Sequence, residues 1–147
     1  MPSGKHQVEI HVPIDHIWNF IKDIDNWAPL VPGYITHSRI NERQSTWDFQ
    51  NENGLIKKNI SLLIDIQEWT EPTLVSFQLS SEKYNGRGYF QAERLTPNKT
   101  NVTGYLEIEA EGTMSSMKNK ILNSVLPKKT EELALAILEI LEKRVIY

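Results

Sequence analysis

The chain has 147 residues, 39% of them hydrophobic and 24% charged, which suits one soluble domain with a substantial core and excludes a disordered chain. The net charge of -3 argues against nucleic-acid binding, which needs a dense basic surface, and the absence of cysteine excludes disulfides, thiolate nucleophiles and cysteine-based metal sites. No stretch has the pattern of a signal peptide or of a bilayer-spanning segment, so we expect a cytoplasmic protein.

The chain begins with a strand pattern and then changes to a helical one. Alternation predicts a first strand that ends at Pro13, with a buried face formed by Val8, Ile10 and Val12. The first histidine, His6, falls before this pattern, where we expect a frayed terminus. Helical spacing then predicts a short helix, whose apolar residues are Ile14, Ile17, Trp18 and Ile21.

The segment "DNWAPLVPGY", residues 25–34, is apolar although it cannot continue the helix. Two prolines and a glycine interrupt helical geometry, yet the segment carries Trp27, Leu30 and Val31. A solvated loop has no reason to carry such side chains. We therefore expect Trp27 to Gly33 to close one end of an internal space and to form part of its entrance.

From Tyr34 to Glu111 the pattern predicts six antiparallel strands that form a curved meander with one apolar face. The segments predicted to be turns are "NERQ" (41–44), "NENG" (51–54), "YNGRG" (84–88) and "TPNKTN" (96–101). The clearest alternation lies in the last strand, where one face carries Val102, Gly104, Leu106, Ile108 and Ala110.

From Met114 onward the period changes to that of a long amphipathic helix that begins near Ser115 or Ser116. Pro127 is predicted to kink this helix or to divide it in two. An open sheet must bury its apolar face, and the terminal helix is the longest element that can cover it. The predicted fold class is therefore α+β, with a curved sheet of about seven strands against a long C-terminal helix.

Several motifs carry a family resemblance. The segment "VPIDHIWNFIKDIDNWAPLVPGY" resembles the N-terminal signature of the START-like superfamily, also called SRPBCC. The segments "LVPG", "EWTEPT" and "NGRGYFQAERLTP" are most similar to its carbon monoxide dehydrogenase G-subunit branch. The resemblance implies one START-like domain over residues 1–147, with a helix-grip fold and an internal cavity that takes apolar or amphipathic molecules, lipid-like or polyketide-like.

The G-subunit branch also implies a partner. Its members are associated with attaching a molybdenum dehydrogenase to the membrane, and they commonly continue into a hydrophobic tail. This chain instead ends in "EKRVIY". The ending departs from the pattern of the branch, and the resemblance itself leaves an accessory protein that docks an oxidoreductase to a partner or to the membrane as one alternative to a small-molecule carrier.

The candidate ligand-binding residues come from the apolar segment, the strands and the terminal helix. As apolar side chains, most of them suit ordinary core equally well. Arg87, between two glycines, is expected to steer an anionic head group at a second part of the entrance, the "YNGRG" turn. The candidates are Trp27, Leu30, Val31, Trp47, Phe49, Ile60, Leu62, Leu79, Arg87, Phe90, Leu106, Met117 and Ile121.

Catalysis has little support in the sequence, and we assign no catalytic residue, metal or other cofactor. No metal-ligand spacing, phosphate-binding loop or nucleophile elbow occurs. His37 could serve as a general base beside the cavity, and Asp48 and Asp65 are either buried acids or exposed residues. These three residues leave open an enzyme of the polyketide cyclase or dehydratase kind, whose members have no linear signature.

The start of the terminal helix is basic as well as apolar. Residues 114–129 contain four lysines and no acidic residue. This pattern is compatible with an anionic membrane surface, but it is more typical of a core helix that has a solvated polar face, because the sheet already needs the apolar stripe.

Overall fold

Seven strands and a long helix make up most of the molecule. The computed structural model of the protein describes residues 2–53, 56–112 and 114–146, with side chains except at 51–53, 56–59 and 143–146. The strands are β1 (Ser3–Ile10), β2 (Tyr34–Arg39), β3 (Gln44–Asn53), β4 (Ile56–Thr70), β5 (Leu74–Ser80), β6 (Tyr84–Thr96) and β7 (Lys99–Ala110). The helices are α1 (Ile14–Ile21), α2 (Ile24–Trp27) and α3 (Ser115–Ile146), and a 3-10 turn spans Ala28–Leu30.

The sheet is fully antiparallel, with the strand order β1-β7-β6-β5-β4-β3-β2. Strands β2 to β7 form a continuous meander, and β1 pairs with the free edge of β7. Helix α3 packs across the inner face of this curved sheet, mainly against β1 and β7. The α+β fold predicted from the order and period of the elements is confirmed.

Asn119 and Gly4 fix the position of α3 on the sheet. The Asn119 side chain accepts a hydrogen bond from the Ala110 amide (2.7 Å) and donates one to the Ala110 carbonyl (3.4 Å), which ties the first turns of α3 to the end of β7. On β1, Gly4 faces the middle of the helix. A Cβ atom at Gly4 would lie 2.5 Å from both the Leu126 carbonyl oxygen and Thr130 Oγ1. Glycine therefore permits the close approach of α3 to β1.

Substitution of Gly4 by alanine is expected to lower the free energy of unfolding by about 1–3 kcal/mol, because the new methyl group overlaps backbone atoms of α3. Gly104→Ala is the matched control, since its Cβ would meet nothing nearer than 3.8 Å. Chemical denaturation of both variants tests this. Equal stability of the two variants would contradict the close packing of α3 on β1.

The buried core occupies one end of the space between sheet and helix. It combines α1, the apolar segment after it and the C-terminal half of α3, through residues such as Ile17, Trp18, Trp27, Ile137 and Leu141. Residues of the inner sheet face, including Ile10, Val75 and Val102, complete it. The N-terminal half of α3 contributes little to this core.

Two local predictions are wrong, and a third is wrong in part. "YNGRG" is part of β6 and not a turn, because its glycines allow close backbone approach within the sheet; a Cβ at Gly86 would overlap the Glu107 carbonyl. His6 lies within β1, paired with Gly104, and not in a frayed terminus. Of the two alternatives predicted at Pro127, division of the helix is wrong, since α3 is continuous through it; a kink there stays a prediction. Pro127 lies on the exposed side, where water can satisfy the carbonyl group that the proline leaves unpaired.

The turn predicted at "NENG" falls between β3, which ends at Asn53, and β4, which begins at Ile56. Its Gly54 lies outside the described residues.

Candidate functional site

A cavity of about 690 Å³ lies between the N-terminal half of α3 and the inner face of the sheet. This volume is within the usual range for small-molecule sites. Most of its wall is apolar, and it comes from the inner faces of β3 to β7 and from α3, with Val8 and Ile10 from β1. The apolar segment closes one end through Trp27, Val31 and the adjoining Pro32 and Gly33.

Ten of the thirteen predicted site residues line this cavity. They are Trp27, Val31, Trp47, Phe49, Ile60, Leu62, Leu79, Phe90, Leu106 and Ile121. Their convergence follows from period two in the strands, which sends alternate side chains to the inner face, and from the helical period in α3. Their contact with a ligand stays a prediction.

The other three predicted residues lie outside the cavity lining. Leu30 packs against the core of the apolar segment. Met117 is 50% exposed on α3. Arg87 points to the outer face, since the glycines on either side of it take the inward positions of β6, and its Nε donates to Glu107 Oε2 at 2.9 Å. The expected steering of an anionic head group by Arg87 therefore has no support from its position.

Five aromatic residues form one end of the cavity wall, and we call them the aromatic cluster: Trp27, Tyr34, Trp47, Phe49 and Phe90. Trp27 packs against Trp47 and Phe90 with ring centroids 5.5 and 5.1 Å away. Both indole N–H groups are already bonded to protein. Trp27 Nε1 donates to the Ile21 carbonyl at 2.9 Å, and Trp47 Nε1 donates to Ser45 Oγ at 2.7 Å. The two tryptophans thus offer a ligand their apolar faces and no free donor.

Charged side chains tie the apolar segment to strand β2. Arg39 forms ion pairs with Asp23 (2.5 Å) and Asp25 (3.3 Å). His37 Nε2 lies 2.6 Å from Asp25 Oδ1, and the other ring nitrogen lies 2.5 Å from the Tyr34 hydroxyl. The hydrogen bond from His37, together with the charge of Arg39, lowers the pKa of Asp25 below its ordinary value of 3.8 although partial desolvation opposes this.

The lowered pKa makes a prediction for Asp25→Asn. A carboxyl group with a depressed folded-state pKa stabilises the fold fully above its unfolded-state pKa, and this contribution is lost as the pH falls through the folded-state value. We expect Asp25→Asn to lower the free energy of unfolding at neutral pH by about 0.2–1 kcal/mol, as for other exposed ion pairs. The difference from wild type should shrink in acid. Denaturant titrations at neutral pH and in acid test this. A difference in the free energy of unfolding between Asp25→Asn and wild type that is the same at both pH values would contradict it.

Lys118 and Lys129 line the cavity, and sequence reasoning did not select them. The Lys118 ammonium lies 5.8 Å from the ring centre of Tyr84, another lining residue. A signal was present, because positions 118, 122, 125 and 129 recur at helical spacing on one face of α3. The basic segment was instead interpreted as a membrane or solvent surface. The polar residues Tyr34, Gln50 and Thr130 were also missed.

The candidate acids and bases of the sequence do not line the cavity. His37 lies behind Tyr34, and Asp48 accepts a hydrogen bond from Ser61 (2.5 Å). Asp65, on β4, is also absent from the lining. Within the described ranges, no group of three or more histidine and acidic side chains is placed to hold a metal ion.

The fold has many known counterparts. A protein-family model matches residues 1–146. A START superfamily protein from Mycobacterium smegmatis is similar in structure, with a TM-score of 0.67, 18% identity and coverage of 96% of this chain and 97% of that one. The chain has a START-like, helix-grip fold. No curated protein matches the sequence significantly.

Two enzymes show how widely this fold is used. The Zhui aromatase/cyclase from Streptomyces sp. R1128 has a TM-score of 0.75 at 13% identity, covering 97% of this chain and 94% of that one. A point mutant of Thalictrum flavum norcoclaurine synthase, in complex with a transition state analogue, has a TM-score of 0.70 at 12% identity, with the same coverage. At such identities the likeness establishes the START-like fold and leaves activity open.

Among the described residues of this START-like chain, no helix is both long enough and apolar enough to cross a bilayer.

Proposed function

We propose that this START-like protein binds and carries an apolar or amphipathic small molecule, lipid-like or polyketide-like, in the cavity between the sheet and α3. The single observation that carries the proposal is the 690 Å³ cavity with its mainly apolar wall. Affinity comes from apolar burial, at about 25 cal/mol per Å² before the costs of ordering the ligand. The ten predicted residues in the wall are the ligand-binding residues of this proposal.

The cavity favours an amphipathic molecule with an acidic head group. Lys118 and Lys129 are the cationic side chains of the described lining, and both lie on the N-terminal half of α3. The aromatic cluster, in contrast, presents ring faces. An acidic group placed near the two lysines leaves the apolar body of the ligand against the sheet and the aromatic cluster.

Titration with a fatty acid and with the fatty alcohol of the same chain length tests this arrangement. We expect wild type to bind both, and to bind the acid more tightly. The double substitution Lys118→Gln with Lys129→Gln should abolish this difference and leave alcohol binding unchanged. The matched control is Lys120→Gln with Lys128→Gln, since these lysines lie on the same helix but outside the cavity lining. If wild type bound neither the fatty acid nor the fatty alcohol, this result would contradict the carrier function for such ligands.

A second candidate function is transient contact with an anionic membrane, from which an apolar ligand could be taken. The observation that favours it is a set of exposed apolar side chains just before α3 and on its first turns, with Met114 57%, Met117 50% and Ile121 36% exposed. Lys118 and Lys120 lie within the same turns. Apolar side chains beside lysines suit a surface of anionic lipid.

Vesicle co-sedimentation tests the membrane contact. We expect binding to vesicles rich in phosphatidylserine, weaker binding at high salt, and none to phosphatidylcholine vesicles. Met117→Glu should lower binding to the anionic vesicles about tenfold, because it places a negative charge at the lipid surface. Equal retention of wild type and Met117→Glu would remove this function and leave the carrier proposal intact.

The enzymatic and oxidoreductase-docking alternatives remain predictions from the sequence. A polyketide cyclase or dehydratase activity would need a proton-transfer group in the cavity. Asp48 and Asp65 are not among the lining residues, and His37 connects to the cavity only through the hydroxyl of Tyr34. Docking on a partner oxidoreductase rests on the resemblance to the G-subunit branch alone.

A further inference from the structure

A chain of hydrogen bonds runs from the cavity wall to the surface. Tyr34 lines the cavity, and its hydroxyl lies 2.5 Å from His37 Nδ1. His37 Nε2 lies 2.6 Å from Asp25 Oδ1. The side chain of His37 is 12% exposed and that of Asp25 58% exposed. Within this chain, Tyr34 is the member that a ligand in the cavity can reach.

The direction of each hydrogen bond follows from the ionised carboxylate of Asp25 at the exposed end of the chain. An ionised carboxylate can only accept, so the proton between Asp25 and His37 belongs to Nε2. In a neutral imidazole, Nδ1 then carries no proton and must accept. The Tyr34 hydroxyl therefore donates its single proton to His37. Toward a ligand, the Tyr34 oxygen can therefore only accept hydrogen bonds, through its two lone pairs.

The surroundings of Tyr34 also favour a ligand that donates a hydrogen bond over one that accepts it. The neighbouring indole N–H groups of Trp27 and Trp47 are bonded to Ile21 and Ser45, so they cannot serve a ligand carbonyl. A donor group that bonds to the Tyr34 oxygen also extends a chain that ends on a carboxylate, and such chains are cooperatively strengthened.

We infer that Tyr34, held by His37 and Asp25, is a hydrogen-bond acceptor that selects ligands carrying a hydroxyl group on an apolar ring system over the corresponding ketones. This inference deepens the proposed carrier function and rests on it. The hydroxyl proton of the ligand points to the Tyr34 oxygen, and the ring system lies against the aromatic cluster. The carbonyl oxygen of a ketone in the same place would face the Tyr34 oxygen, which has no proton left to donate. Tyr34 is the contact residue, and His37 and Asp25 are positioning residues.

Fluorenol, fluorenone and fluorene are suitable probes, since they share one apolar skeleton and differ in a hydroxyl, a carbonyl or neither. Binding is measured by calorimetry at mildly alkaline pH, which favours a neutral imidazole. We expect the fluorenol-to-fluorenone affinity ratio of wild type to exceed that of Tyr34→Phe by about five- to tenfold, the effect of one net hydrogen bond. Comparing the ratio between proteins cancels the different hydration of the two probes.

His37→Ala provides a readout that a purely structural role would not give. Without its acceptor, the Tyr34 proton is free to donate to a ligand, so fluorenone should gain affinity relative to fluorene. Tyr34→Phe should show no such gain, because it has no hydroxyl at all. A separate melting curve for each variant establishes that it is folded at the temperature of the titration.

The outcomes separate the inference from the function beneath it. If all three probes bind but the ratio is the same in wild type and Tyr34→Phe, the selectivity is refuted and the carrier function stands. If the ratio changes in Tyr34→Phe but fluorenone gains nothing in His37→Ala, the assigned direction of the hydrogen bonds is wrong. If not even fluorene binds to wild type, cavity binding of such ring systems fails, and the inference fails with it.

Discussion

Ala134→Trp is expected to lower the affinity for an apolar ligand about ten- to a hundredfold and to leave the protein folded. Ala134 lies on α3 and lines the cavity. A bulky ring at this position takes up ligand space, and overpacking of an occupied site costs about 1–3 kcal/mol. Without a ligand, the cavity can accept the same ring at little cost in stability, since filling a void restores lost packing contacts.

The matched control is Leu135→Trp, one position further along the helix. Leu135 is 45% exposed and is not among the lining residues, so its replacement adds the same ring on the solvent side. Titration with a fluorescent apolar probe should show near-wild-type affinity for this variant. Equal affinities of the two tryptophan variants would mean that the ligand does not occupy the cavity.

Trp27→Ala is expected to lower the free energy of unfolding by about 3–5 kcal/mol, the usual cost of removing a buried tryptophan. Trp27 is 6% exposed and packs against Trp47 and Phe90, so it joins the apolar segment to two strands of the sheet. Its loss removes packing at the end of the cavity as well as the bond to the Ile21 carbonyl. Denaturant titration measures the change.

Trp27→Phe separates these two contributions. It keeps an aromatic ring but lacks the N–H group, so we expect a smaller loss of about 1 kcal/mol for the hydrogen bond, together with that of a smaller ring. If Trp27→Ala were as stable as Trp27→Phe, the apolar segment would not depend on the aromatic cluster for its attachment.

Period and turn chemistry were sufficient to predict the sheet. Strand β7 shows why, because Val102, Gly104, Leu106 and Ile108 alternate without interruption and all four line the cavity. The "YNGRG" segment shows the limit. Its glycines have the composition of a turn, but they serve close contacts of β6 with β7 and with Phe77, which depend on the pairing of whole strands and not on local composition.

The candidate site was predictable where burial alone decides it. Apolar residues on the inward positions of strands line the cavity, and their contact with a ligand stays a prediction. Arg87 points outward, since its expected position depended on the wrong assignment of a turn. The link between Asp25, Tyr34 and His37 was beyond prediction. It joins side chains of α2 and β2, and only the folded path of the apolar segment brings them together.

Small residues in both layers leave room for the cavity. Gly104 on β7 and Ala134 on α3 both line it, and a methyl group at Gly104 would still have ordinary contact distances to its neighbours. Larger side chains at these positions would extend the core into this space. The small residues at these two positions thus leave space between the sheet and α3 that larger side chains would fill.

Native mass spectrometry of the protein purified from its own host tests the central claim most directly, with Ala134→Trp prepared in parallel. We expect an additional mass on wild type that is retained under native conditions, lost on denaturation, and absent or greatly reduced in Ala134→Trp. Fragmentation of that mass would then identify the class of ligand. An additional mass of equal occupancy on both proteins would contradict a ligand in the cavity. A bare wild-type protein that also fails to bind fatty acids and fluorene would contradict the carrier function.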